Sequence, residues 1–587
     1  MAQRKRPPGQ KSAGGASRAG KSKGSRRDKT ESTPAQRKES HAGQDSGDGF
    51  FRGGHLSRTL KTFATVAGNI SARDIAKSTG ALTSELSGIM AGKSDRQPAR
   101  QDVRFKDPAW QTNPLYRRLS QGYLAWSDTI RGLVDKEERS DDWRNREHVR
   151  FLTEILLSSA SPSNYLLTNP AVVDKAVKSG GASLLKGARH FIGDLAEGRT
   201  LPRHALPEQF EVGRDLAATP GAVVFRNEVL ELIQYQPVTS EVLAEPTLIL
   251  PPQISRYYFM DMAPGRSFVE YALGRGVPVF IVSWRNPGPA QRDWDFDTYI
   301  SACFEALDAI CSIFRSKTLN LVGVCAGGIT ATLLLNIMAA RGDKRVRHAA
   351  YVVTLLDFDV PCPLGAFHEK SIMNLTHKRS ESKGILPGRS LGNTFNWMRP
   401  NDLVWRYWVN NYLLGNEPPP FDILYWNDDS TNLPYALHKQ FLSLYEHNLL
   451  CKPGEFQVMG YPVDLSTIEL ETFVVGADAD HLTPWRGCYR TCQLIPGKST
   501  FVLSNAGHIA GLINPPNNPK ARYLIGPVEN EEAGEWAQSA RQEQGTWWQP
   551  WGDWVIQTVG KTRRAPKKLG NTRYPVLDPA PGSYVRT

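Results

Sequence analysis

One cysteine lies where a catalytic nucleophile would be expected. Cys325 is the central residue of a Gly-Val-Cys-Ala-Gly segment at 323–327, which follows an apolar run beginning at Leu319 and precedes a helix-forming stretch. This order of strand, sharp turn and helix matches the G-x-S-x-G nucleophile elbow, with cysteine in place of serine. The new helix would favour a thiolate, and the backbone N–H of Ala326 would bind the oxyanion formed after attack. A buried cysteine in a glycine-rich turn is the alternative, which these five residues alone do not exclude.

An acid and a histidine follow Cys325 in the order that α/β-hydrolases use. Each of them should lie in a loop just after a sheet strand. Asp478 and Asp480 follow one β-rich run of the sequence, and His508 follows the next. His508 would accept the proton of Cys325 while a carboxylate holds its ring in the working tautomer. The spacing does not separate Asp478 from Asp480.

Other residues near these motifs have supporting roles or none. His481 lies in the loop of the candidate acids, where we expect it to support the triad rather than to act as its base. The second oxyanion donor should come from the loop at 251–254. Cys488 and Cys492 are four residues apart, but no histidine or second cysteine pair completes a ligand set, so we predict no metal site.

The composition is that of a folded enzyme with a basic tail. The 587 residues are 40% hydrophobic and 22% charged, with a net charge of +12. Residues 1–48 contain twelve Lys or Arg and five Asp or Glu, so most of the positive charge lies in a segment predicted to be disordered. Its role is either solubilisation or an electrostatic contact with nucleic acid or an anionic surface. No nucleic-acid-binding module, membrane span or secretory signal is predicted. The seven scattered cysteines indicate reduced thiols in a cytoplasm.

The hydrophobic pattern divides the remaining chain into two parts. Residues 49–210 have apolar positions at helical spacing and predict an α-helical N-terminal domain, whose amphipathic beginning would pack on the main domain or bind a hydrophobic surface. Residues 211–587 alternate strands and helices, which predicts the doubly wound sheet of an α/β-hydrolase domain. Among these elements are strands predicted at 221–225 and 349–356 and a helix predicted at about 297–316. Residues 359–450 interrupt this alternation and are rich in Trp and Tyr, which predicts a large cap over the sheet. Those aromatic residues suit an apolar cavity lining and an ordinary cap core equally.

Several further motifs together identify a family. They are Pro-Pro-Gln-Ile at 251–254, Val-Ser-Trp-Arg-Asn-Pro at 282–287, Gly-Val-Cys-Ala-Gly-Gly at 323–328, Met-Arg-Pro-Asn-Asp-Leu at 398–403, Phe-Asp-Ile-Leu-Tyr-Trp-Asn at 421–427, Asp-His-Leu-Thr-Pro-Trp at 480–485 and Gly-His-Ile at 507–509. From about residue 100 to the C-terminus the chain resembles bacterial polyhydroxyalkanoate synthases. The resemblance implies that Cys325 is the nucleophile, that Asp480 rather than Asp478 is the acid, and that His508 is the base. Ser255-Arg256 departs from the Asn-Lys that the family usually carries.

The resemblance also implies an activity. Members polymerise (R)-3-hydroxyacyl-coenzyme A thioesters through a cysteine-bound acyl group, with coenzyme A as the leaving group and no cofactor. Expected partners are the growing polyester, the granule surface, granule-associated proteins and a second copy in a homodimer. The expected location is the cytoplasm, at the granule surface.

Finer motifs point to one class within this family. They lie at 110–118, 320–330, 514–522, 561–566 and 580–585. They resemble the single-subunit class II synthases, which favour medium-chain units. The alternatives are a short-chain (3-hydroxybutyrate) synthase and a cysteine-nucleophile thioesterase or hydrolase on the same fold.

Overall fold

The computed structural model describes residues 70–136, 142–529 and 532–587. The predicted basic tail at 1–48 and the predicted amphipathic segment up to residue 69 lie outside the described residues. Within the described ranges, no helix combines the length and hydropathy needed to cross a membrane.

Six α-helices precede the first strand of the described chain, as predicted for the N-terminal part. Several begin at a side chain that satisfies the free N–H groups of the first turn. Asn113 and Asn169 each accept hydrogen bonds from two such groups, and a proline follows each of them at the first helical position. The helices are α1 Ala72–Met90, α2 Ala109–Thr112, α3 Pro114–Asp135, α4 Trp143–Ser159, α5 Pro170–Lys178 and α6 Ala182–Ala196.

The main sheet has eleven strands among the described residues. They are β1 Gly221–Arg226, β2 Leu230–Tyr235, β3 Thr247–Leu250, β4 Val279–Trp284, β5 Leu319–Val324, β6 Val346–Val352, β7 Glu471–Ala477, β8 Ser499–Ser504, β9 Arg522–Pro527, β10 Arg541–Gln544 and β11 Asp578–Pro579. Two-stranded ladders join Glu241–Leu243 to Thr562–Arg564, Ile385–Leu386 to Leu433–Pro434, and Gln457–Val458 to Tyr461–Pro462.

The order across the sheet is β10-β9-β8-β7-β6-β5-β3-β4-β2-β1-β11. The six central strands, β8, β7, β6, β5, β3 and β4 in this order, are parallel to one another. On either side of them, β9 and β10, and β2 and β1, pair antiparallel. Every residue of β2, β4 and β5 is buried, as expected for strands covered on both faces. The predicted α/β-hydrolase fold is confirmed, with the nucleophile strand β5 near the middle of the sheet.

Eleven further α-helices cover the sheet and form the cap within the described residues. They are α7 Phe268–Gly274, α8 Phe296–Phe314, α9 Ala326–Ala340, α10 Lys370–Lys383, α11 Gly388–Met398, α12 Asp422–Asp428, α13 Tyr435–His447, α14 Trp485–Leu494, α15 His508–Ile513, α16 Ala533–Ser539 and α17 Trp548–Val559. Helices α10 to α13 lie in the predicted cap segment, between β6 and β7. Two π-helical turns, Asn401–Trp405 and Trp408–Leu413, belong to the same segment.

The tryptophan-rich C-terminal segment forms a docked helix, as predicted. Trp547, Trp548 and Trp551 are almost fully buried, and the indole N–H groups of the first two donate to the carbonyls of Gly511 and Leu512 at 2.7 and 3.0 Å. These carbonyls belong to α15, the short helix that His508 begins. Helix α17 therefore holds α15 in place.

Some of the aromatic residues of the cap pack in its core and others line a cavity, the two roles that the sequence left open. Trp426 is buried against Phe259, with their ring centroids 5.5 Å apart. By contrast, Trp397, Trp405 and Trp408 line a cavity of about 150 Å³ at the contact between the cap and α6. One part of the aromatic set is therefore core and another part lines a cavity.

Candidate active site

The nucleophile elbow has the predicted strand, turn and helix. Cys325 directly follows β5 and caps α9, with φ 51° and ψ −124°. Positive φ is strained for a residue with a Cβ, so the surroundings must impose it. The N–H of Cys325 donates to the carbonyl of Val352 at 2.9 Å, and the hydroxyl of Thr354 donates to the carbonyl of Cys325 at 3.2 Å. The end of β6 thus fixes both peptide groups of the cysteine.

Two glycines allow the elbow to be this tight. A Cβ on Gly323 would lie 2.6 Å from the Cα of Gly328, so only glycine lets β5 meet α9 there. A Cβ on Gly327 would lie 2.2 Å from the carbonyl oxygen of Leu250. The start of α9 therefore rests directly on the end of β3.

Asp480 lies where the candidate acid was expected, in the loop after β7. Its Oδ2 is 2.7 Å from Nδ1 of His508 and also accepts from the hydroxyl of Thr483 at 2.7 Å. Its Oδ1 accepts from the backbone N–H groups of Leu482 and Thr483 at 2.8 and 2.9 Å. Burial disfavours the charged carboxylate, but the charge and hydrogen bond of His508 and the bonds from Thr483 hold the pKa of Asp480 below its usual range.

His508 connects the acid to the nucleophile. It begins α15, and 5% of it is exposed. Burial lowers its pKa, yet the charges of Asp480 and Cys325 and hydrogen bonds to both side chains raise the pKa of His508 well above its ordinary value. Because Nδ1 is engaged by Asp480, the other ring nitrogen is left for Cys325. The structure thus places His508 between Asp480, to which it is hydrogen-bonded, and Cys325, whose charge raises the pKa of the ring.

Asp478 does not join this group. Its side chain is exposed, and its backbone N–H continues the ladder by donating to Ser504 at 2.8 Å. His481 is half-buried beside the acid. Burial, followed by the charges of Arg399 and His508, lowers its pKa to about 4 against the opposing effect of Asp480. The ring of His481 is therefore neutral at pH 7 and adds no charge to the site.

The loop expected to supply the second oxyanion donor packs against the start of α9, where a Cβ on Gly327 would lie 2.7 Å from Pro251. Ala326 is the first residue of α9, where backbone N–H groups have no partner within the helix. The loop at 251–254 leaves β3 against the same helix, and the side-chain amide of Gln253 donates to the hydroxyl of Thr330 at 2.7 Å. Thr330 belongs to the second turn of α9, so loop and helix are joined beside the cysteine.

Residues that sequence reasoning did not single out complete the site. Thr483 orients the acid through two hydrogen bonds, and Thr354 and Gln253 fix the elbow and the loop. Only Thr483 carried a sequence signal, because a threonine three residues after an aspartate commonly bonds back to it. The pairs formed by Thr354 and Gln253 join residues far apart in sequence.

No metal centre is found in the described part of the chain, since no three His, Cys, Asp or Glu side chains cluster suitably there. Cys488 and Cys492 are both buried thiols on α14. Burial raises the pKa of Cys492 and, together with the charges of Asp480 and Cys325, that of Cys488. These two thiols are therefore protonated at neutral pH.

Comparison with known proteins supplies the family. Residues 101–272 match the family model described as poly-beta-hydroxybutyrate polymerase (PhaC) N-terminus, and residues 254–515 match the alpha/beta hydrolase fold. Among solved structures, a monoacylglycerol lipase from Paleococcus ferrophilus has a TM-score of 0.30 and 11% identity over 48% of this chain and 90% of its own, too slight a likeness to support an inference.

Three curated relatives cover most of both chains. Poly(3-hydroxyalkanoate) polymerases 2 and 1 of Ectopseudomonas oleovorans are 45% and 42% identical over 86% and 85% of this chain and 90% and 89% of their own lengths. The poly(3-hydroxyalkanoate) polymerase subunit PhaC of Cupriavidus necator is 38% identical over 84% of this chain and 85% of its own. The higher identity to the first two agrees with the predicted likeness to class II. The chain belongs to the poly(3-hydroxyalkanoate) polymerase family of acyltransferases.

Proposed function

We propose that this enzyme polymerises (R)-3-hydroxyacyl-coenzyme A thioesters through an acyl group bound to Cys325, releasing coenzyme A. The observation that carries the proposal is the buried histidine His508, which is hydrogen-bonded to Asp480 and close enough to Cys325 for the cysteine to raise its pKa. Such a histidine can take the thiol proton and return it, while the carboxylate stabilises the charged ring. Coenzyme A is part of the substrate, and no cofactor enters the reaction.

In the acylation step, His508 accepts the proton of Cys325, and the thiolate attacks the thioester carbonyl. The N–H of Ala326 and a donor from the loop at 251–254 bind the oxyanion of the tetrahedral intermediate. When this intermediate collapses, the carbon–sulfur bond to coenzyme A breaks, and the leaving thiolate takes the proton back from His508. One thioester is exchanged for another, so the step is close to balanced in energy.

In the elongation step, the 3-hydroxyl of another hydroxyacyl unit attacks the Cys325 thioester. Its proton passes to His508, an ester bond forms, and the cysteine leaves as a thiolate. Four hydrogen bonds occupy the two oxygens of Asp480, and 7% of the residue is exposed. These contacts support a role for Asp480 through His508 rather than directly on the hydroxyl.

The cap contributes by keeping water from the acyl-enzyme, because water would turn the polymerase into a thioesterase. Charge interactions of His481 with Arg399 and Asp402 support this placement, because these two cap residues lie just before and within the first π-helical turn.

The decisive experiment mixes the purified protein with 3-hydroxybutyryl- or 3-hydroxydecanoyl-coenzyme A and measures free thiol and insoluble polyester together. We expect both to appear in proportion. Free coenzyme A with monomeric acid and no polyester would identify a thioesterase. If neither free coenzyme A nor polyester appeared, the proposed function would be rejected.

We further propose a preference for medium-chain units, in line with the class II motifs. Each buried methylene is worth about 0.8 kcal/mol, or about fourfold in specificity constant. Specificity constants for 3-hydroxyoctanoyl- and 3-hydroxydecanoyl-coenzyme A should therefore exceed that for 3-hydroxybutyryl-coenzyme A by at least about tenfold. Equal or greater efficiency on the four-carbon substrate would assign the enzyme to the short-chain type.

The expected surroundings follow from the same activity. We propose that the protein works in the cytoplasm at the surface of the polyester granule, as a homodimer and next to granule-associated proteins. Sedimentation of purified enzyme with and without substrate measures the dimer. Recovery of the protein with isolated granules measures the location.

A further inference from the structure

The loop that should supply the second oxyanion donor is held by side chains from distant parts of the chain. The indole N–H of Trp284 donates to the carbonyl of Pro251 at 2.8 Å. The side-chain amide of Gln253 donates to the hydroxyl of Thr330 on α9, and the backbone carbonyl of Gln253 accepts from the hydroxyl of Thr431 in the cap at 2.7 Å. The position of this loop therefore depends on the cap as well as on the sheet.

The cap segment at 426–431 runs alongside the loop and is fastened to it. Ser255 and Ser430 form an antiparallel bridge, and the indole N–H of Trp426 donates to the carbonyl of Arg256 at 2.8 Å. Between these two contacts, Asp429 accepts from the hydroxyl of Tyr258 at 2.8 Å. The loop and this segment thus form one small, cross-linked unit.

Arg256 is the cation at the centre of this unit. Its side chain is 7% exposed, and Nε donates to Asp429 at 3.1 Å. Its two terminal nitrogens donate to the carbonyl of Tyr584, at 3.0 Å, and to Thr587. Asn286, just after β4, also donates to Thr587, at 3.2 Å. One guanidinium therefore joins the loop, the cap and the C-terminal segment.

The C-terminal segment is itself anchored to the sheet. Glu231 of β2 is fully buried and accepts from the backbone N–H groups of Ser583 and Tyr584, at 3.0 and 2.9 Å to one of its oxygens. The C-terminal segment that carries the two carbonyls bound by Arg256 is therefore held in place by the sheet. Removing the buried guanidinium of Arg256 would take one donor each from Asp429, Tyr584 and Thr587 at once, and would leave Asp429 without this ion pair.

From these contacts we propose that Arg256 is a positioning residue for the acyl-transfer reaction. It clamps the loop at 251–254 between Asp429 of the cap and the C-terminal segment, so that the loop presents its oxyanion donor at the correct distance from Cys325. The inference rests on the proposed function, and it assigns a role to the position where the sequence departs from the Asn-Lys of the family.

The test compares Arg256→Gln, Arg256→Lys, Asp429→Asn and the double variant Arg256→Gln/Asp429→Asn with the wild type. The matched control is Arg345→Gln, because Arg345 is also partly buried and pairs with Asp343 and Asp308, but it precedes β6 at the opposite end of the strands. Four quantities are measured: kcat and KM for coenzyme A release, the rate of Cys325 alkylation by iodoacetamide, and the unfolding temperature.

We expect Arg256→Gln to lower kcat by about 10- to 100-fold, the range below that for loss of a direct oxyanion donor. KM should change less than about threefold, and alkylation less than about twofold, because alkylation forms no oxyanion. Arg256→Lys keeps the positive charge but cannot reach all three acceptors at once, so its kcat should lie between those of the wild type and Arg256→Gln. The double variant should be no slower than Arg256→Gln, since both substitutions break the same contact.

Three results would overturn the inference: an unchanged kcat in Arg256→Gln, additive losses in the double variant, or a parallel loss of alkylation that places the damage at the elbow. If Arg256→Gln does not fold, Arg256→Lys and Asp429→Asn decide by the same criteria. A wild-type protein that releases no coenzyme A would instead reject the proposed function, which is measured first.

Discussion

At the scale of single residues, the site depends on one buried histidine with two acidic neighbours. Proximity to Asp480 and Cys325 raises the pKa of His508 despite its burial, and the same contact keeps the pKa of Asp480 low. The ring is thus placed to exchange a proton with Cys325, as the proposed function requires.

Substitution of the proposed nucleophile gives the first prediction. Cys325→Ala should reduce coenzyme A release by more than about 100-fold without unfolding the protein, because the covalent step is lost. Stopped-flow detection of the released thiol measures the effect. Cys451→Ala is the control: Cys451 is a half-buried thiol whose pKa burial raises to about 11, and its removal should leave turnover within about twofold. Substantial activity in Cys325→Ala would mean that another group is the nucleophile.

The pair of His508 and Asp480 gives a prediction about pH. The raised pKa of His508 contributes stability that is fully present below about pH 6.5 and is lost as the pH rises through the folded value. The lowered pKa of Asp480 contributes stability that is present above about pH 3.9 and is lost as the pH falls through its folded value. The two contributions overlap between these limits. Asp480→Asn should therefore lower the unfolding temperature most at about pH 4 to 6.5, and progressively less at alkaline pH.

A calorimetric series from pH 4 to 9 measures this difference. Asp478→Asn is the matched control, because its carboxylate is exposed in the same loop. A difference between wild type and Asp480→Asn that grew toward alkaline pH would contradict the assignment of the ion pair.

The choice between the two aspartates shows what could be predicted for single residues. Chain order and strand positions located the acid loop and His508, but spacing left Asp478 and Asp480 equal until the family motif separated them. The structure gives the physical reason: the turn after Ala477 buries Asp480 beneath Thr483, whereas Asp478 points outward. The contacts of Arg256 could not be predicted, because its partners are more than 170 residues away.

At the scale of elements, the close approach of α9 to its strands fixes the position of Cys325, the proposed nucleophile. The glycines of the elbow leave no room for a Cβ between α9 and the ends of β3 and β5. Any added atom must move the helix, and with it Cys325 and the N–H of Ala326.

Gly327→Ala therefore tests the elbow directly. Its Cβ would lie 2.2 Å from the carbonyl oxygen of Leu250 and 2.7 Å from Pro251, so overpacking should cost about 1 to 3 kcal/mol of stability and most of the activity. Denaturant unfolding and turnover measure the two effects. Gly193→Ala is the control, because a Cβ there meets nothing within 4 Å on α6 and should stabilise the helix by up to about 1 kcal/mol. Full activity in Gly327→Ala would show that the contact can relax without moving the nucleophile.

Element boundaries were predicted closely except where the chain turns without a sequence signal. The helix predicted at about 297–316 is Phe296–Phe314, and the strand predicted at 221–225 is Gly221–Arg226. The strand predicted at 349–356 is instead Val346–Val352. It ends early because Val353 has a φ of 46° and its N–H donates to Val475 of β7, although its side chain is a strand former.

At the scale of the whole molecule, His204 connects the N-terminal helices to the cap. Nδ1 of His204 lies 2.8 Å from Asp428, and Nε2 lies 2.6 Å from the carbonyl of Leu403. Both neighbours accept hydrogen bonds, so both ring nitrogens must carry a proton. Burial and the charge of Arg199 oppose this, but Asp428 and the Leu403 carbonyl raise the pKa of His204.

His204→Gln should destabilise the protein in a pH-dependent way. A raised folded pKa means that the stabilisation is fully present below about pH 6.5 and declines as the pH rises through the folded value. The difference from wild type should be about 1 to 3 kcal/mol at pH 6, as for a buried hydrogen bond to a charged group, and smaller at pH 9. Thermal unfolding at the two pH values measures it, with His447→Gln, at an exposed histidine, as control. An equal loss at both pH values would contradict the charged form.

Sequence patterns predicted the arrangement of helical part, sheet and cap, but not how the cap is fastened. Its aromatic richness was compatible with core or cavity, because periodicity shows that a side chain avoids water and not what it faces. The cavity beside α6 arises only when Trp397, Trp405 and Trp408 meet Phe191 from the N-terminal helices. Contacts between residues so far apart in sequence cannot be predicted from a local sequence pattern.

The contact of Arg256 with the C-terminal segment has a consequence for biosynthesis. Arg256 leaves the ribosome 328 residues before Tyr584 and 331 before Thr587. At about 5 to 20 residues per second, the loop waits roughly 15 to 65 seconds for these partners. A nascent chain therefore already carries its thiol, histidine and acid while the loop beside them is still unclamped. If the clamp acts as proposed, coenzyme A release by a nascent chain would stay about 10- to 100-fold slower until Tyr584 and Thr587 reach Arg256.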